Sequence, residues 1–160
     1  MTRLAGFRWT WLSLGVVLLD QVTKYLLERF TAPGQVHQII PGLLNLVNAR
    51  NPGVAFSILA DFDSDWLRPA LIAFSLAAIG LLGWLLWSGR AGGTLTRWGL
   101  ALALGGAAGN VVDRLLFGAV FDFIDVHVRH WHWPAFNVAD SAITIGLIFV
   151  VWEMLFGRRR

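Results

Sequence analysis

The sequence contains no cysteine, and this absence limits the chemistry that the chain can perform. A disulfide, a thiolate nucleophile and a cysteine-ligated metal site are all excluded. Charge is scarce as well, since charged residues make up 14% of the 160 residues, whereas about one quarter is usual in soluble domains. The net charge of +3 comes without a basic run interleaved with aromatic residues, so nothing indicates a nucleic-acid partner.

Hydrophobic residues make up 56% of the chain, more than a soluble fold of this size can bury, so lipid is the expected solvent. A bilayer core of about 30 Å requires about 20 apolar residues in helical conformation. Four segments satisfy this requirement, at about 9–30, 67–87, 95–117 and 139–156. The sequence therefore predicts an all-α polytopic membrane protein with four transmembrane helices in one domain, residues 1–160.

The distribution of arginine predicts the orientation, because cytoplasmic ends of spans carry an excess of Lys and Arg. One side holds Arg3, Arg8, Arg90, Arg97 and the triplet at 158–160. The other side carries its arginines in longer segments that also contain most of the aspartates. Both termini are therefore expected in the cytoplasm, and the segments 31–66 and 118–138 are expected to face outward.

The outer segment 31–66 contains short β-type runs. Runs at 36–40 and 43–47 are separated by Pro41-Gly42, and a third run at 54–59 follows the turn at Asn51-Pro52-Gly53. These runs predict a small extracytoplasmic β-sheet that rests on the membrane face.

Carboxylates concentrate in residues 105–140, beside two of the apolar segments. An ionisable group at the edge of a membrane segment is costly and is a candidate functional site. Two close carboxyl groups that share one proton can hydrolyse a peptide bond, because the ionised group activates water and the neutral group protonates the carbonyl oxygen. Asp122, in an apolar patch, and Asp140, at the start of the fourth span, are the favoured pair. Spacing alone leaves Asp125 and Asp113 open as partners, and it equally allows a helix-capping Asp140 and a loop carboxylate at Asp122.

Other polar residues are placed to support such a site. Asn110, Asp113 and Arg114 share one helical face, where they contact a substrate or where Asp113 and Arg114 form a structural network that holds the third span to the sheet. Asn137 lies three residues before Asp140, and an Asn amide can hold a peptide backbone.

Two further pairs lie nearer the start of the chain. Asp20 and Lys24, at i and i+4 in the first span, predict a buried ion pair with Lys24 extending outward to the membrane surface. Asn51 and Gly53 belong to a turn that presents backbone to a ligand.

Two patterns that suggest metal are incomplete. Asp61, Asp63 and Asp65 resemble the start of an EF-hand loop, but Trp66 occupies the glycine position, so a solvated acidic tip is expected. The stretch from His127 to His132 lacks a metal-ligand spacing and is typical of an interfacial segment. No metal or other cofactor is expected, and neither Asp125 nor this stretch is assigned a role.

Two other functions are compatible with the same residues. A small proton-coupled transporter would use Asp20 and Lys24 as an intramembrane relay and would not need Asp122 or Asp140. A membrane scaffold would use the polar clusters only to hold helices together.

Five sequence blocks resemble those of one enzyme family. The blocks are DQVTK at 20–24, NPGVAF at 51–56, GAAGNVVDR at 106–114, VFDF at 120–123 and FNVAD at 136–140. Each block is weakly specific, but their order across four apolar segments is highly specific. On these blocks the chain is identified as a member of the lipoprotein signal peptidase family, also called signal peptidase II.

The resemblance implies an aspartic endopeptidase of the bacterial inner membrane with four transmembrane helices and a small outer sheet, the β-cradle. Such enzymes remove the signal peptide of prolipoproteins just before a lipobox cysteine that carries diacylglycerol, and they are inhibited by the cyclic peptide globomycin. The family's catalytic dyad falls on Asp122 and Asp140. Its supporting and substrate-binding positions fall on Asp20, Lys24, Asn51, Gly53, Asn110, Asp113, Arg114 and Asn137.

Overall fold

A computed structural model describes residues 4–53 and 66–157 of the chain. It contains four α-helices and four β-strands. The helices are α1 (Leu4–Phe30), α2 (Leu67–Trp87), α3 (Thr94–Phe117) and α4 (Val138–Phe156), and the strands are β1 (Val36–Ile40), β2 (Leu44–Asn51), β3 (Val120–Val128) and β4 (Trp131–His132).

Each helix covers one of the four apolar segments of the sequence. By length and composition, three stretches in the described part of the chain qualify to cross a bilayer, namely Arg68–Trp87, Thr94–Phe117 and Val138–Phe156. Helix α1 is longer, with 27 residues, but it carries charged side chains along its second half. Its role as a fourth span stays a prediction.

Helix α3 is the centre of the helical bundle. It packs against α1, α2 and α4, and its buried face includes several small residues. A Cβ atom added at Gly99 would overlap the carbonyl oxygen of Gly146 on α4, and one added at Gly106 would overlap the carbonyl oxygen of Ala139. Small residues let membrane helices approach this closely, so the backbone of α3 directly supports the first turn of α4.

The close contact at Gly106 yields a test. Gly106→Ala is expected to lower the free energy of unfolding by about 1–3 kcal/mol, since the added methyl group meets backbone rather than a movable side chain. Gly80→Ala on α2 is the matched control, because a Cβ there meets nothing within 4 Å and alanine favours helix. Thermal unfolding in detergent measures both, and equal unfolding temperatures for the two variants would contradict this packing.

The strands form one antiparallel sheet in the order β1-β2-β3-β4. The predicted runs at 36–40 and 43–47 correspond to β1 and the first half of β2, whereas β3, which carries Asp122, was expected only as an apolar patch or loop. The third predicted run, 54–59, and the acidic cluster 61–65 lie outside the described residues, as do Arg3 and the terminal arginine triplet.

Gly118 directs the chain from α3 into the sheet. It ends α3 with a positive φ of 82°, a left-handed conformation that glycine adopts without strain. Strand β3 begins two residues later, and Ala49 of β2 pairs with Asp122 of β3. The turn therefore brings Asp122 back over the bundle, next to the ends of α3 and α4.

Candidate active site

Asp140 is fixed by a capping box at the start of α4. The Asn137 side chain accepts a hydrogen bond from the Asp140 backbone N–H (2.9 Å), and the Asn137 N–H donates to Asp140 Oδ2 (3.3 Å). Oδ1 of Asp140 accepts a further hydrogen bond from Asn110 Nδ2 of α3, at 2.8 Å. Asp140 is thus a first-turn residue whose two carboxyl oxygens both have donors and which is 5% exposed.

Asp122 lies on β3 and is 1% exposed. Its Oδ2 accepts a hydrogen bond from Asn51 Nδ2 at 3.0 Å, and its Oδ1 accepts one from Asn137 Nδ2 at 2.7 Å. The Asn51 side chain also accepts the Gly53 N–H at 2.9 Å. The turn at 51–53 is therefore tied to Asp122 through one amide side chain.

Two asparagines connect the carboxyl groups. Asn137 Nδ2 lies within hydrogen-bonding distance of both Asp122 Oδ1 (2.7 Å) and Asn110 Oδ1 (3.2 Å), and Asn110 donates to Asp140. Because an amide supplies both donors and an acceptor, this chain links two carboxyl groups without itself changing charge. The arrangement links two buried carboxyl groups, one on β3 and one on α4.

The pKa of Asp122 is raised from 3.8 to about 7. Burial is the main cause and the nearby charge of Asp140 adds to it, whereas hydrogen bonds from Asn51 and Asn137 and the charge of Lys24 act in the opposite direction. Asp122 thus holds a proton up to near-neutral pH. A carboxyl group that keeps its proton there is able to donate it, which is the requirement for a general acid.

Lys24 neutralises the carboxylates behind this site. Its Nζ lies 2.8 Å from both Asp20 Oδ2 and Asp113 Oδ2, and it donates to Asn110 Oδ1 at 3.2 Å. The predicted buried pair with Asp20 is therefore present. The predicted outward extension of Lys24 is wrong, because the side chain is buried between α1 and α3, where Asp113 offers a second carboxylate.

Asp20 also supports α4. Its Oδ1 accepts the Ala139 N–H at 2.9 Å, so a residue of α1 satisfies a backbone donor in the first turn of α4. Gln21, which sequence reasoning left without a role, contacts Asp20 Oδ2 and Asp113 Oδ1 at 3.2 and 2.9 Å. The sequence signal that could have assigned Gln21 to the site is its position beside Asp20 in the DQVTK block.

Arg114 contacts the turn at 51–53. It donates to the Gly53 carbonyl oxygen at 2.8 Å, whereas Asp113 binds Lys24 and accepts the Phe121 N–H at 3.1 Å. No hydrogen bond or ion pair between Asp113 and Arg114 is among those described. The two residues nevertheless hold α3 to the sheet, as the structural alternative predicts, because Asp113 binds β3 and Arg114 binds the turn that follows β2. Arg68, near the start of α2, donates to the Arg114 carbonyl oxygen at 3.1 and 2.9 Å.

Asp125 belongs to a different cluster. It lies three residues after Asp122 on β3, and odd spacings along a strand place side chains on opposite faces. Asn45 donates to its Oδ2 at 2.8 Å, and His132 Nδ1 lies 2.9 Å from its Oδ1. Although burial acts to raise the pKa of Asp125, the hydrogen bonds from Asn45 and His132 and the histidine charges lower it overall.

The two other candidate partners of Asp122 have different surroundings, since Asp125 lies on the opposite face of β3 and Asp113 forms an ion pair with Lys24. The rings of His127 and His132 stack 4.9 Å apart, and among the residues that the structure describes no group of three or more His, Asp or Glu is arranged to hold a metal.

A groove of about 200 Å³ leads from the side of α4 to Asp140. Trp133, Phe136, Ser141, Thr144 and Ile145 form its walls with Asp140. The lining is largely apolar, and Asp140 is the one charged residue among the described residues that form it.

Fold and site together define a helical membrane protein with a buried pair of carboxyl groups at the junction of its bundle and its sheet. Comparison with known proteins gives the family. A profile described as signal peptidase (SPase) II matches residues 12–156, and the chain belongs to the signal peptidase II family of peptidases.

Individual relatives agree with this assignment. A lipoprotein signal peptidase from Solibacter usitatus is 40% identical to this chain, and the match covers 94% of each protein. One from Paraburkholderia phymatum is 47% identical, and the match covers 92% of this chain and 87% of the relative. Two solved structures described as a bacterial membrane enzyme superpose with TM-scores of 0.82 and 0.80 at 29% and 30% identity. They cover 96% and 93% of this chain, and this chain covers 92% and 93% of them. With three helices of spanning length, the protein is an integral membrane protein.

Proposed function

We propose that this protein is an aspartic endopeptidase that removes the signal peptide from diacylglyceryl-modified prolipoproteins and cuts just before the lipidated lipobox cysteine. The observation that carries this proposal is the buried pair Asp122 and Asp140, joined through Asn137 and Asn110. Membership of the signal peptidase II family supplies the substrate class.

In the proposed mechanism Asp122 and Asp140 share one proton. The ionised carboxylate takes a proton from a water molecule that attacks the scissile carbonyl carbon, while the neutral carboxyl protonates the carbonyl oxygen. As the intermediate collapses and the C–N bond breaks, the first carboxyl passes its proton to the leaving nitrogen and the second recovers a proton from a hydroxyl of the intermediate, which restores the shared proton. Asn51 and Asn137 orient Asp122, and Asn110 orients Asp140. Arg114 fixes the turn that contains Gly53, and Lys24 with Asp20 and Asp113 supports Asn110 from behind.

The membrane topology of the proposal includes α1 as the fourth span. A helix of 27 residues is roughly 40 Å long, enough to cross a core of about 30 Å. Its charged residues Asp20 and Lys24 are buried against α3, whereas Leu14, Leu18 and Leu19 are exposed, as a lipid-facing surface requires.

Four spans put both termini in the cytoplasm and place the sheet and the dyad at the outer face of the bacterial inner membrane. Residues 1–160 then form one peptidase domain. The scissile bond of a lipid-anchored substrate lies at that depth, and globomycin is expected to occupy the same cleft as the substrate.

The test uses the purified protein in lipid vesicles with two forms of one precursor, with and without diacylglyceryl on the lipobox cysteine. Cleavage of the lipidated form alone, at the bond before that cysteine as identified by mass spectrometry, is expected, and it should persist in EDTA and stop with globomycin. Equal cleavage of both forms would refute the substrate assignment, and loss in EDTA would refute the metal-free mechanism. An intact lipidated precursor would refute the peptidase and favour a transporter.

The raised pKa of Asp122 predicts the pH dependence. The value of kcat/KM is expected to fall as the pH rises through about 7, because both carboxyl groups are then ionised and no acid protonates the carbonyl oxygen. The stability of the folded protein is expected to change with pH in the same direction as kcat/KM. Because folding raises the pKa of Asp122 from 3.8 to about 7, protonation of Asp122 favours the folded protein. This contribution to stability is fully present below pH 3.8 and is lost as the pH rises through about 7.

Initial rates and unfolding temperatures measured across this range give both profiles. In Asp122→Asn the decline in stability between these pH values should shrink. A rate profile that is flat through pH 7 would contradict the shared proton.

A further inference from the structure

A second groove, which we call the α1–α3 groove, opens on another side of the molecule. It has a volume of about 300 Å³ and shares no lining residue with the groove at Asp140. Its walls include Lys24, Tyr25, Glu28, Arg50, Asp113 and Phe117. The mechanism uses the buried Lys24 and Asp113 at its floor, but it gives no role to Glu28, Arg50 or the space between them.

An ion pair between Arg50 of β2 and Glu28 of α1 borders the α1–α3 groove. The two side chains are 36% and 42% exposed, so both charges can meet a ligand while they remain paired. The Arg50 guanidinium also lies 5.4 Å from the ring centres of Phe117 and Phe121. Stacking and pairing together hold the guanidinium in place before a ligand arrives, which reduces the entropy lost on binding.

The charges of the lining select the kind of headgroup. Two cations, Lys24 and Arg50, face two carboxylates, Asp113 and Glu28. Lys24 and Asp113 bind each other at the floor, so Arg50 and Glu28 provide the accessible charges. An anionic headgroup would satisfy Arg50 but meet repulsion from Glu28, whereas a zwitterion places its phosphate on Arg50 and its cation on Glu28.

The aromatic wall distinguishes between zwitterions. A quaternary ammonium is recognised by open aromatic faces, but the Tyr25 ring already has the Arg29 guanidinium 4.3 Å from its centre. A primary ammonium has N–H groups that donate hydrogen bonds to a carboxylate such as Glu28, and a quaternary ammonium has none. The lining therefore favours an ethanolamine headgroup over a choline headgroup.

The position of the α1–α3 groove suits a lipid. Glu28 lies in the last turn of α1, and the exposed side chains Val22 and Tyr25 precede it by one to two turns. Phe117, on the opposite wall, is 58% exposed. A headgroup at the level of Glu28 thus has apolar surface beneath it on both helices, where an acyl chain can lie.

We propose that the α1–α3 groove binds one phosphatidylethanolamine molecule, with its phosphate on Arg50, its ammonium on Glu28 and an acyl chain between α1 and α3. The inference rests on the proposed function to the extent that α1 must cross the membrane. It adds a lipid site that is separate from the cleft proposed for the substrate.

The test measures binding of four lipids with identical acyl chains to the purified full-length protein by native mass spectrometry. The lipids are phosphatidylethanolamine, phosphatidylcholine, phosphatidylglycerol and diacylglycerol. Phosphatidylethanolamine is expected to bind about three- to tenfold more tightly than the other three, which is the range for one or two partly exposed charge-assisted contacts. Glu28→Gln should abolish its advantage over phosphatidylcholine, and Arg50→Gln should weaken all phospholipids toward diacylglycerol.

Arg129→Gln is the matched control, since it removes a positive charge from the turn between β3 and β4 and not from the groove lining. It should leave the lipid preference unchanged, and thermal unfolding should confirm that all variants are folded. Equal binding of all four lipids, tightest binding of phosphatidylglycerol, a preference that survives Glu28→Gln, or an equal loss in Arg129→Gln would each overturn the proposal. If the protein cleaves the lipidated precursor but does not prefer phosphatidylethanolamine, only the lipid site is overturned. If it prefers phosphatidylethanolamine but does not cleave the precursor, only the proposed function is overturned.

Discussion

Replacing Asp122 or Asp140 by Asn is expected to reduce cleavage of a diacylglyceryl precursor by at least about a hundredfold, the lower end of what one general acid or base contributes. An amide has nearly the same shape as a carboxyl group, but it neither takes a proton from water nor delivers one to the carbonyl oxygen. In the proposed mechanism the two residues act on one proton as a unit, so the double variant is expected to be little worse than either single variant. Initial rates with saturating precursor measure the loss.

Each substitution also places an amide N–H₂ where an oxygen accepted a hydrogen bond, so folding has to be followed separately. In Asp140→Asn the capping box is partly lost, which costs about 1 kcal/mol. Asp125→Asn is the control on the same strand, since its side chain faces Asn45 and His132. If a folded Asp122→Asn or Asp140→Asn protein cleaves at the parental rate, that residue does not belong to the dyad. If only Asp125→Asn causes a large loss of activity, the catalytic role belongs to Asp125.

The helices were predictable because the bilayer sets their length. The predicted segment 67–87 coincides with α2, and the other three begin within a few residues of their helices. Strand β3 was harder to predict, since Phe121, Asp122 and Phe123 are all buried and the first half of the strand shows no alternation of buried and exposed positions. Its pairing with β2 also depends on residues that are far apart in sequence.

Local parts of the site followed from spacing, and the long-range parts did not. Asn137 and Asp140 are three residues apart and form the capping box that such spacing allows. The contact of Lys24 with Asp113 joins two helices, and nothing in one sequence predicts that Lys24 turns inward rather than toward the membrane surface. Spacing also left Asp113 and Asp125 as candidates beside Asp122. The resemblance favoured Asp140, and the geometry now shows the rivals engaged elsewhere.

Lys24→Met is expected to destabilise the protein by about 3–5 kcal/mol, the range for removing one partner of a buried ion pair. Lys24 is 4% exposed, and its carboxylate partners Asp20 and Asp113 are 0% and 1% exposed. Methionine fills a similar volume, so the effect comes mainly from two uncompensated buried carboxylates rather than from a cavity. Unfolding by denaturant in mixed micelles measures the loss as a shift of the midpoint.

Arg50→Met provides the exposed counterpart of this experiment. Its ion pair with Glu28 is partly exposed, and such pairs contribute only about 0–1 kcal/mol.

A second variant tests the cause directly, because adding Asp113→Asn to Lys24→Met removes one unpaired charge and should restore part of the lost stability. If Lys24→Met is no more destabilising than Arg50→Met, or if Asp113→Asn worsens it further, Lys24 does not stabilise the fold by neutralising buried carboxylates.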